Sequence, residues 1–467
     1  MKRILLLLCF IAAMSVSSRA QLFTVDTLTY RGDISKYINI VIMGDGYTAN
    51  QLNAFRTDAD SLFNYLFRQA PWSNYKGYFN VFAIRVISAQ SGAAHPNSAP
   101  DCASAPVPVS IPWTYLGCSF DAYGIHRLMV AFNIVNISKV LAANFPSYDQ
   151  AFIISNSPYY GGSGEYYATS TVNAYSKEIT AHEIGHSFAG LADEYYPGDA
   201  YAGERANMTQ QSNPALIKWK NWIGPSGVTV QPHCCGSIAA SWYKPHTNCK
   251  MQVLGGAFCP VCTEAIIENI HSITNPVVRY LPTAATVAAT KQFISFRLLE
   301  LMKPQPNTLK IVWKLDGTVI PGNADSVKIN QNPLSAGNHT VSASVTDTSA
   351  LLRVNNHSTL HVNTITWTIR KTSTGIVLTP AENEITCTIY PNPASDMLNI
   401  GLDLAKNDDL IIELLAPDGK LVRRITEQHV APGKHLNSMD VKSLKPGAYI
   451  IAVKVGDYVH TRQWLKQ

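Results

Sequence analysis

The residues His182-Glu183-Ile184-Gly185-His186 lie in a stretch, 177–191, that has helical periodicity and no internal proline. On an α-helix residues four apart share a face, so the two imidazoles can hold one metal ion together. Zn2+ is the ion this spacing suits, and Glu183 beside it can take a proton from metal-bound water. Zinc brings the pKa of that water to about 7, so hydroxide forms at neutral pH and can attack a peptide carbonyl. A three-ligand catalytic zinc needs one more donor, and the run His186-Ser-Phe-Ala-Gly190-Leu-Ala-Asp193-Glu194-Tyr195-Tyr196 contains candidates. Gly190 lets the helix end and the chain turn back; Asp193 then supplies a carboxylate, with Glu194 in reserve. Glu204 would need a second helix across Pro197, Gly198 and Gly203, which those breakers oppose.

The order from His182 to Asp193 is similar to that of the metzincins, H-E-x-x-H-x-x-G-x-x-H/D, with one extra residue before the glycine. Ile40-Val-Ile-Met-Gly-Asp-Gly-Tyr47, Phe79-Asn-Val81, Tyr160-Gly-Gly162, Asn248-Cys-Lys-Met251 and Phe258-Cys-Pro-Val-Cys262 accompany it. With these motifs the chain resembles the IgA-peptidase family of metzincin-like metallopeptidases over most of residues 25–275. The resemblance implies Zn2+ at His182 and His186, Glu183 as base and Asp193 as third ligand. Met251 matches the methionine of a Met-turn, an apolar floor beneath the metal, although a core Met is the plain alternative. Tyr160, Gly161 and Gly162 suit an edge strand that receives an extended substrate, or else a glycine-rich surface loop. An oxyanion donor is also needed, and Tyr243 is the first choice, ahead of His246 and His233; each can equally be a structural hydrogen-bonder.

Residues 1–20 carry Lys2-Arg3, an apolar run too short to span a bilayer, and small residues before Gln21, the pattern of a secretory signal. Cys9 lacks the small preceding residues of a lipoprotein signal. Removal of the segment takes away Lys2, Arg3 and Arg19 from the 37 basic residues and brings the formal charge from +5 to +2. With 46% hydrophobic and 15% charged residues and no basic block, the chain fits neither a disordered protein nor a nucleic-acid binder. No later stretch is apolar and long enough for a membrane span. Export makes disulfides the expected state of Cys102, Cys118, Cys234, Cys235, Cys249, Cys259, Cys262 and Cys387. A structural zinc at Cys249, Cys259 and Cys262, with Cys234 or Cys235 as fourth ligand, is the competing reading.

Those chemical groups need a scaffold, and the pattern predicts one. Short apolar runs at 38–43, 79–87 and 151–155 alternate with helical spacing at 49–67 and about 123–143, which implies an α/β domain with a mostly parallel sheet. Gly44-Asp45-Gly46 lacks the spacing and lysine of a phosphate loop and reads as a strand-to-helix turn. Beyond residue 280 short strands separated by turns suggest an immunoglobulin-like β-sandwich over 281–378. A linker, 379–384, then leads to a β-rich unit, 385–467. Tyr390-Pro-Asn-Pro393, Leu444-Lys-Pro-Gly-Ala-Tyr449 and a basic last strand make that unit resemble the type A C-terminal sorting domain of the type IX secretion system. The resemblance implies a β-sandwich address tail, export through periplasm and outer membrane, and the secretion machinery as partner.

The expected protein is a secreted or cell-surface zinc endopeptidase acting on extracellular proteins, host glycoproteins included. A catalytically inactive binding or adhesion protein and a zinc amidase on a non-peptide substrate are the alternatives. The catalytic domain is expected over 21–280.

Overall fold

The computed structural model describes residues 22–104, 107–164, 166–234, 238–372, 386–404, 407–416, 420–455 and 458–467. The expected signal segment, Cys235 and the 379–384 linker lie outside the described residues. The chain divides into two compact units, one reaching Ser373 and one formed chiefly by the residues after it.

The first unit begins with a six-stranded mixed sheet built from β1 (Val25–Thr29), β2 (Ile38–Asp45), β3 (Phe79–Ile84), β4 (Gln150–Ser155), β5 (Gly162–Ser163) and β6 (Ala168–Ser170). Its order is β1-β3-β2-β4-β6-β5. The pairs β3/β2, β2/β4 and β4/β6 are parallel, and β1 and β5 close the edges antiparallel. Every residue of β2 is buried, because both faces are covered. Ile40 and Ile42 face one core with α1 (Leu52–Leu66), α3 (Ser176–Ala189) and α4 (Pro260–Ile273); Val41 and Met43 face the other with α2 (Ile134–Asn144). At the end of β2, Asp45 is fully buried and accepts the N–H groups of Leu116 and Cys118 at 2.8 Å each, so the loop binds its own chain.

Helix α2 starts later than the spacing predicts. Asp121 and Tyr123 take left-handed backbone angles, and Val130–Ala131 pairs with Cys118–Ser119, which removes 123–133 from the helix. Asn133 then caps it, its side-chain oxygen accepting the Asn136 N–H at 3.3 Å.

After α4 the same unit continues as two sheets around one core. Val277–Leu281, Phe293–Leu301 and Ser326–Asn330 form one sheet; the other carries Leu309–Leu315, Gly337–Asp347 and Asn363–Lys371, with Thr286–Ala288 and Thr318–Ile320 at its edges. Trp313 and Trp367 stack between them at 5.9 Å. Asp347 pins this sandwich to the α/β part: it accepts hydrogen bonds from Tyr75 (2.5 Å), His271 (3.1 Å), Thr308 (2.6 Å) and the Ser349 N–H (2.9 Å). His357 faces an acceptor at each ring nitrogen, Glu268 at 2.5 Å and the Asp347 carbonyl at 3.1 Å.

The second unit is again two sheets, of three and four strands, sharing a core of Leu398, Ile400, Ile412, Leu414, Val453 and Trp464. Its proline-rich opening is tied to the last strand: Trp464 donates to the Pro391 carbonyl at 3.1 Å, and Asn392 accepts the Leu465 N–H at 2.9 Å.

The expected disulfides are absent among the described residues, where Cys102, Cys118, Cys234, Cys249, Cys259, Cys262 and Cys387 are all free. Cys102 lies instead against Asp121 and His126, and Cys118 beside Asp45. The sulfurs of Cys249 and Cys262 stand 3.6 Å apart, well beyond the roughly 2.05 Å of an S–S bond. No helix among the described residues is long and apolar enough to cross a membrane.

Candidate metal centre and active site

Helix α3 is buried on most of its circumference, wedged between the sheet, α1 and α4. Gly185 permits this from below, since a Cβ there would lie 3.0 Å from the Met251 sulfur. Met251 is fully buried and sits in the turn that follows Cys249, under the segment between the two histidines. The helix ends at Gly190, whose φ of 60° is left-handed; the Gly190 and Leu191 N–H groups donate back to His186 and Gly185. The reversal brings Asp193 over the histidine face.

Three donor atoms converge there. His182 Nε2 is 3.0 Å from Asp193 Oδ1, His186 Nε2 is 3.2 Å from it, and the two Nε2 atoms are 3.1 Å apart. Their orientation is set from behind: His182 Nδ1 donates to the Lys250 carbonyl at 3.0 Å and His186 Nδ1 to the Leu191 carbonyl at 2.7 Å. Bonds of about 2.0–2.1 Å in a tetrahedral sphere imply donor separations of about 3.3 Å, so two imidazoles and a carboxylate at these spacings fit a three-ligand metal. Burial works against the charge on these groups, yet the Asp193 carboxylate raises the His186 pKa to about 9, and the two imidazoles in turn hold Asp193 below the usual carboxylate range. Glu183 Oε2 lies 4.0 Å from His186 Nε2, and burial raises the Glu183 pKa.

These groups line a cleft of about 960 Å³. Arg127, Tyr160, Gly162, Ser163, Gly164 and Tyr195 are also on its walls. Gly162 stands on edge strand β5, but its N–H donates to the Arg127 carbonyl and its carbonyl accepts the Met129 N–H, so residues 127–129 already cover that edge. Tyr160 is half exposed, and the Gly161 carbonyl accepts the Thr171 N–H.

Other expected residues lie elsewhere. Glu194, the reserve ligand, points away from the histidines into a fully buried pocket with Cys249, Cys259 and Cys262. The two neighbouring carboxylates project to opposite sides of the loop, so only Asp193 reaches the histidines. Tyr243 is held in a short ladder with Pro232 and Thr209 and is not among the cleft-lining residues. Neither is His246, whose Nδ1 accepts the Asn248 N–H, nor His233, a buried ring whose pKa burial depresses. Glu204 pairs with Lys218 instead. Sequence reasoning missed Arg127 and Tyr195. The guanidinium lies 5.6 Å from the Tyr195 ring centre, and that ring is 6.1 Å from His182. The only hint was the tyrosine pair directly after Asp193 and Glu194; nothing marks Arg127, which enters from a distant loop.

Residues 27–234 match the family described as IgA Peptidase M64, and residues 388–467 match the secretion system C-terminal sorting domain. No curated protein matches the chain. Among solved structures, dimeric latent PorU from Porphyromonas gingivalis aligns at 12% identity over 48% of this chain and 22% of that one, with a TM-score of 0.23. A β-glucuronidase from Parabacteroides merdae aligns at 8% over 49% and 28% (TM-score 0.16), and the fibronectin(III)-like modules of Clostridium thermocellum CbhA at 13% over 40% and 94% (TM-score 0.14). The chain thus spans under a third of the first two, and at these scores the alignments carry no argument. The family matches do: the chain carries an IgA peptidase M64 domain, of a metallopeptidase family, and ends in a type IX secretion sorting domain that directs it to a secreted or cell-surface location.

Proposed function

We propose that the protein is an exported zinc endopeptidase that hydrolyses peptide bonds of extracellular proteins, with Glu183 as general base. The convergence of His182, His186 and Asp193 to within 3.0–3.2 Å of one another on a cleft wall carries this reading. His182, His186 and Asp193 would hold a zinc ion, which when bound would supply Lewis acidity toward a water and a substrate carbonyl. His182 and His186 offer Nε2 because each Nδ1–H is already committed to a main-chain carbonyl. Glu183, made more basic by burial, takes a proton from the attacking water and passes it to the departing amine. Arg127 and Tyr195 supply hydrogen-bond donors to the substrate oxygen as it gains negative charge. The segment Tyr160, Gly161 and Gly162, which meets the cleft at Tyr160 and Gly162, receives the extended substrate outside the hydrogen bonds that Gly162 already makes. Met251 supports the ligand helix from below.

The test uses the purified full chain, unfolded and mucin-type protein substrates, and Glu183→Gln. Wild type is expected to cleave, and the variant to lose about a thousandfold in rate with its zinc content unchanged. Equal cleavage by both would remove Glu183 from the mechanism. Hydrolysis of non-peptide amides without any protein cleavage would favour the amidase, and absence of both activities the binding protein.

A further inference from the structure

Behind the catalytic histidines lies a second cluster of metal-ligand type, made of Glu194, Cys249, Cys259 and Cys262, all four buried. Their donor atoms lie within 4.8 Å of one another. Cys249 and Cys262 sulfurs are 3.6 Å apart, and Glu194 Oε1 is 3.2 Å from the Cys262 sulfur and 3.8 Å from that of Cys259. Zinc–sulfur bonds of about 2.3 Å and zinc–oxygen bonds near 2.1 Å give tetrahedral edges of roughly 3.6–3.8 Å, which these separations approach. A disulfide would leave one of three buried thiols over and would do nothing for the carboxylate. That carboxylate is the second observation: Glu194 is 0% exposed, and its Oε2 has no hydrogen-bond partner among the described residues. An unpartnered carboxylate oxygen in a sealed, sulfur-lined pocket is costly unless a cation joins it.

We infer that Cys249, Cys259, Cys262 and Glu194 bind one structural zinc ion, distinct from the catalytic one. The three thiols give up their protons to solvent on binding, and soft thiolates favour zinc over the hard divalent cations. The negative charge of the set is relieved by groups already in place. The Cys259 N–H donates to the Cys249 sulfur at 3.2 Å, Asn207 donates to Glu194 Oε1 at 3.0 Å, and the Lys244 ammonium reaches the Glu194 carbonyl. Cys259 and Cys262 also open helix α4, whose N-terminus carries positive partial charge. The ion ties together three segments: the loop whose preceding residue is Asp193, the turn carrying Lys250 and Met251, and the start of α4. Two of these three hold catalytic ligands or their hydrogen-bond partners, so the buried ion keeps the active site in register.

The site is independent of the catalytic reading, and the experiment separates them. Zinc content and zinc-edge X-ray absorption are measured on the full chain as wild type, as the double variant His182→Ala/His186→Ala, and as Cys262→Ser. Wild type should hold two zinc ions per chain, and the double variant should retain one, with sulfur-rich coordination. Cys262→Ser should lose the sulfur-coordinated ion. Because Cys262→Ser can fail to fold, denaturing alkylation in chelator followed by mass spectrometry is run on wild type, where all three cysteines should be alkylated as thiols. A disulfide among the three, or a double variant holding no sulfur-coordinated zinc, overturns the inference; loss of protease activity alone does not touch it.

Discussion

Asp193 and Glu194 are adjacent in the chain, and the two sides of their loop make an instructive contrast. On the cleft side the donors are two imidazoles and a carboxylate, and Asp193 keeps 16% of its side chain exposed. On the inner side the donors are three sulfurs and a carboxylate, all buried. Open sites with nitrogen and oxygen donors leave room for a substrate, whereas closed sulfur-rich sites serve structure. Asp347 adds a third buried carboxylate for comparison. Burial opposes its charge, but hydrogen bonds from His271, Thr308 and Tyr75 outweigh that and hold its pKa at about 2, while burial leaves Glu194 at about 8. Burial is common to both; the supply of donors differs.

Removing the open-side carboxylate tests the contrast most severely. Asp193→Ala is expected to lower peptide hydrolysis by about a thousandfold, several kcal/mol of barrier, while leaving the thermal unfolding midpoint almost in place. If instead the protein unfolded and activity per folded molecule were retained, the two sides of the loop would have been assigned the wrong way round.

The next effect concerns Asp347. Its folded pKa lies below the ordinary aspartate value of 3.8, so its contribution to stability is fully present above pH ~4 and is lost as pH falls through about 2. Asp347→Asn should therefore cost about 2 kcal/mol at pH 7. It should also flatten the loss of stability between pH ~4 and ~2. Denaturant unfolding across that range reads it; parallel curves for variant and wild type would show that the carboxylate charge contributes nothing.

Gly190 tests how the reversal presents Asp193. A Cβ at this position meets no atom within 4 Å, so Gly190→Ala carries only the conformational cost of a left-handed residue, about 1 kcal/mol. Stability should fall by that amount with hydrolysis reduced only modestly; a loss of activity as large as that of Asp193→Ala would mean that the turn itself has moved. Met251→Leu should be smallest, about 0.5 kcal/mol and little change in rate, since it conserves volume and polarity beneath Gly185. A large drop in zinc affinity would give the sulfur a role beyond filling space.

Much of the site is legible along the chain because helical geometry is local. His182 and His186 share a face by spacing alone, with Glu183 beside them, and a glycine followed three residues later by a carboxylate announces the reversal. The alternation of apolar runs likewise announces the sheet and its covering helices, and the proline-rich and Leu-Lys-Pro-Gly segments the terminal β unit. The start of α2 was less legible, since the pairing of 118–119 with 130–131 is a contact between separate segments. The same limit explains Tyr243. Its place near Met251 in sequence suggested the cleft, but a ladder with Pro232 and Thr209 holds it elsewhere.

What the sequence by itself determined is the chemistry that one helix and its turn can bring together, together with the address carried by the last 80 residues. Tertiary structure alone places Asp193 against the histidines and Glu194 on the other side of the loop, brings Arg127 and Tyr195 into the cleft, and adds the Glu194 carboxylate to the three cysteines. Each of these depends on which side of an irregular loop a residue faces and on segments far apart in the chain, and no periodicity encodes either.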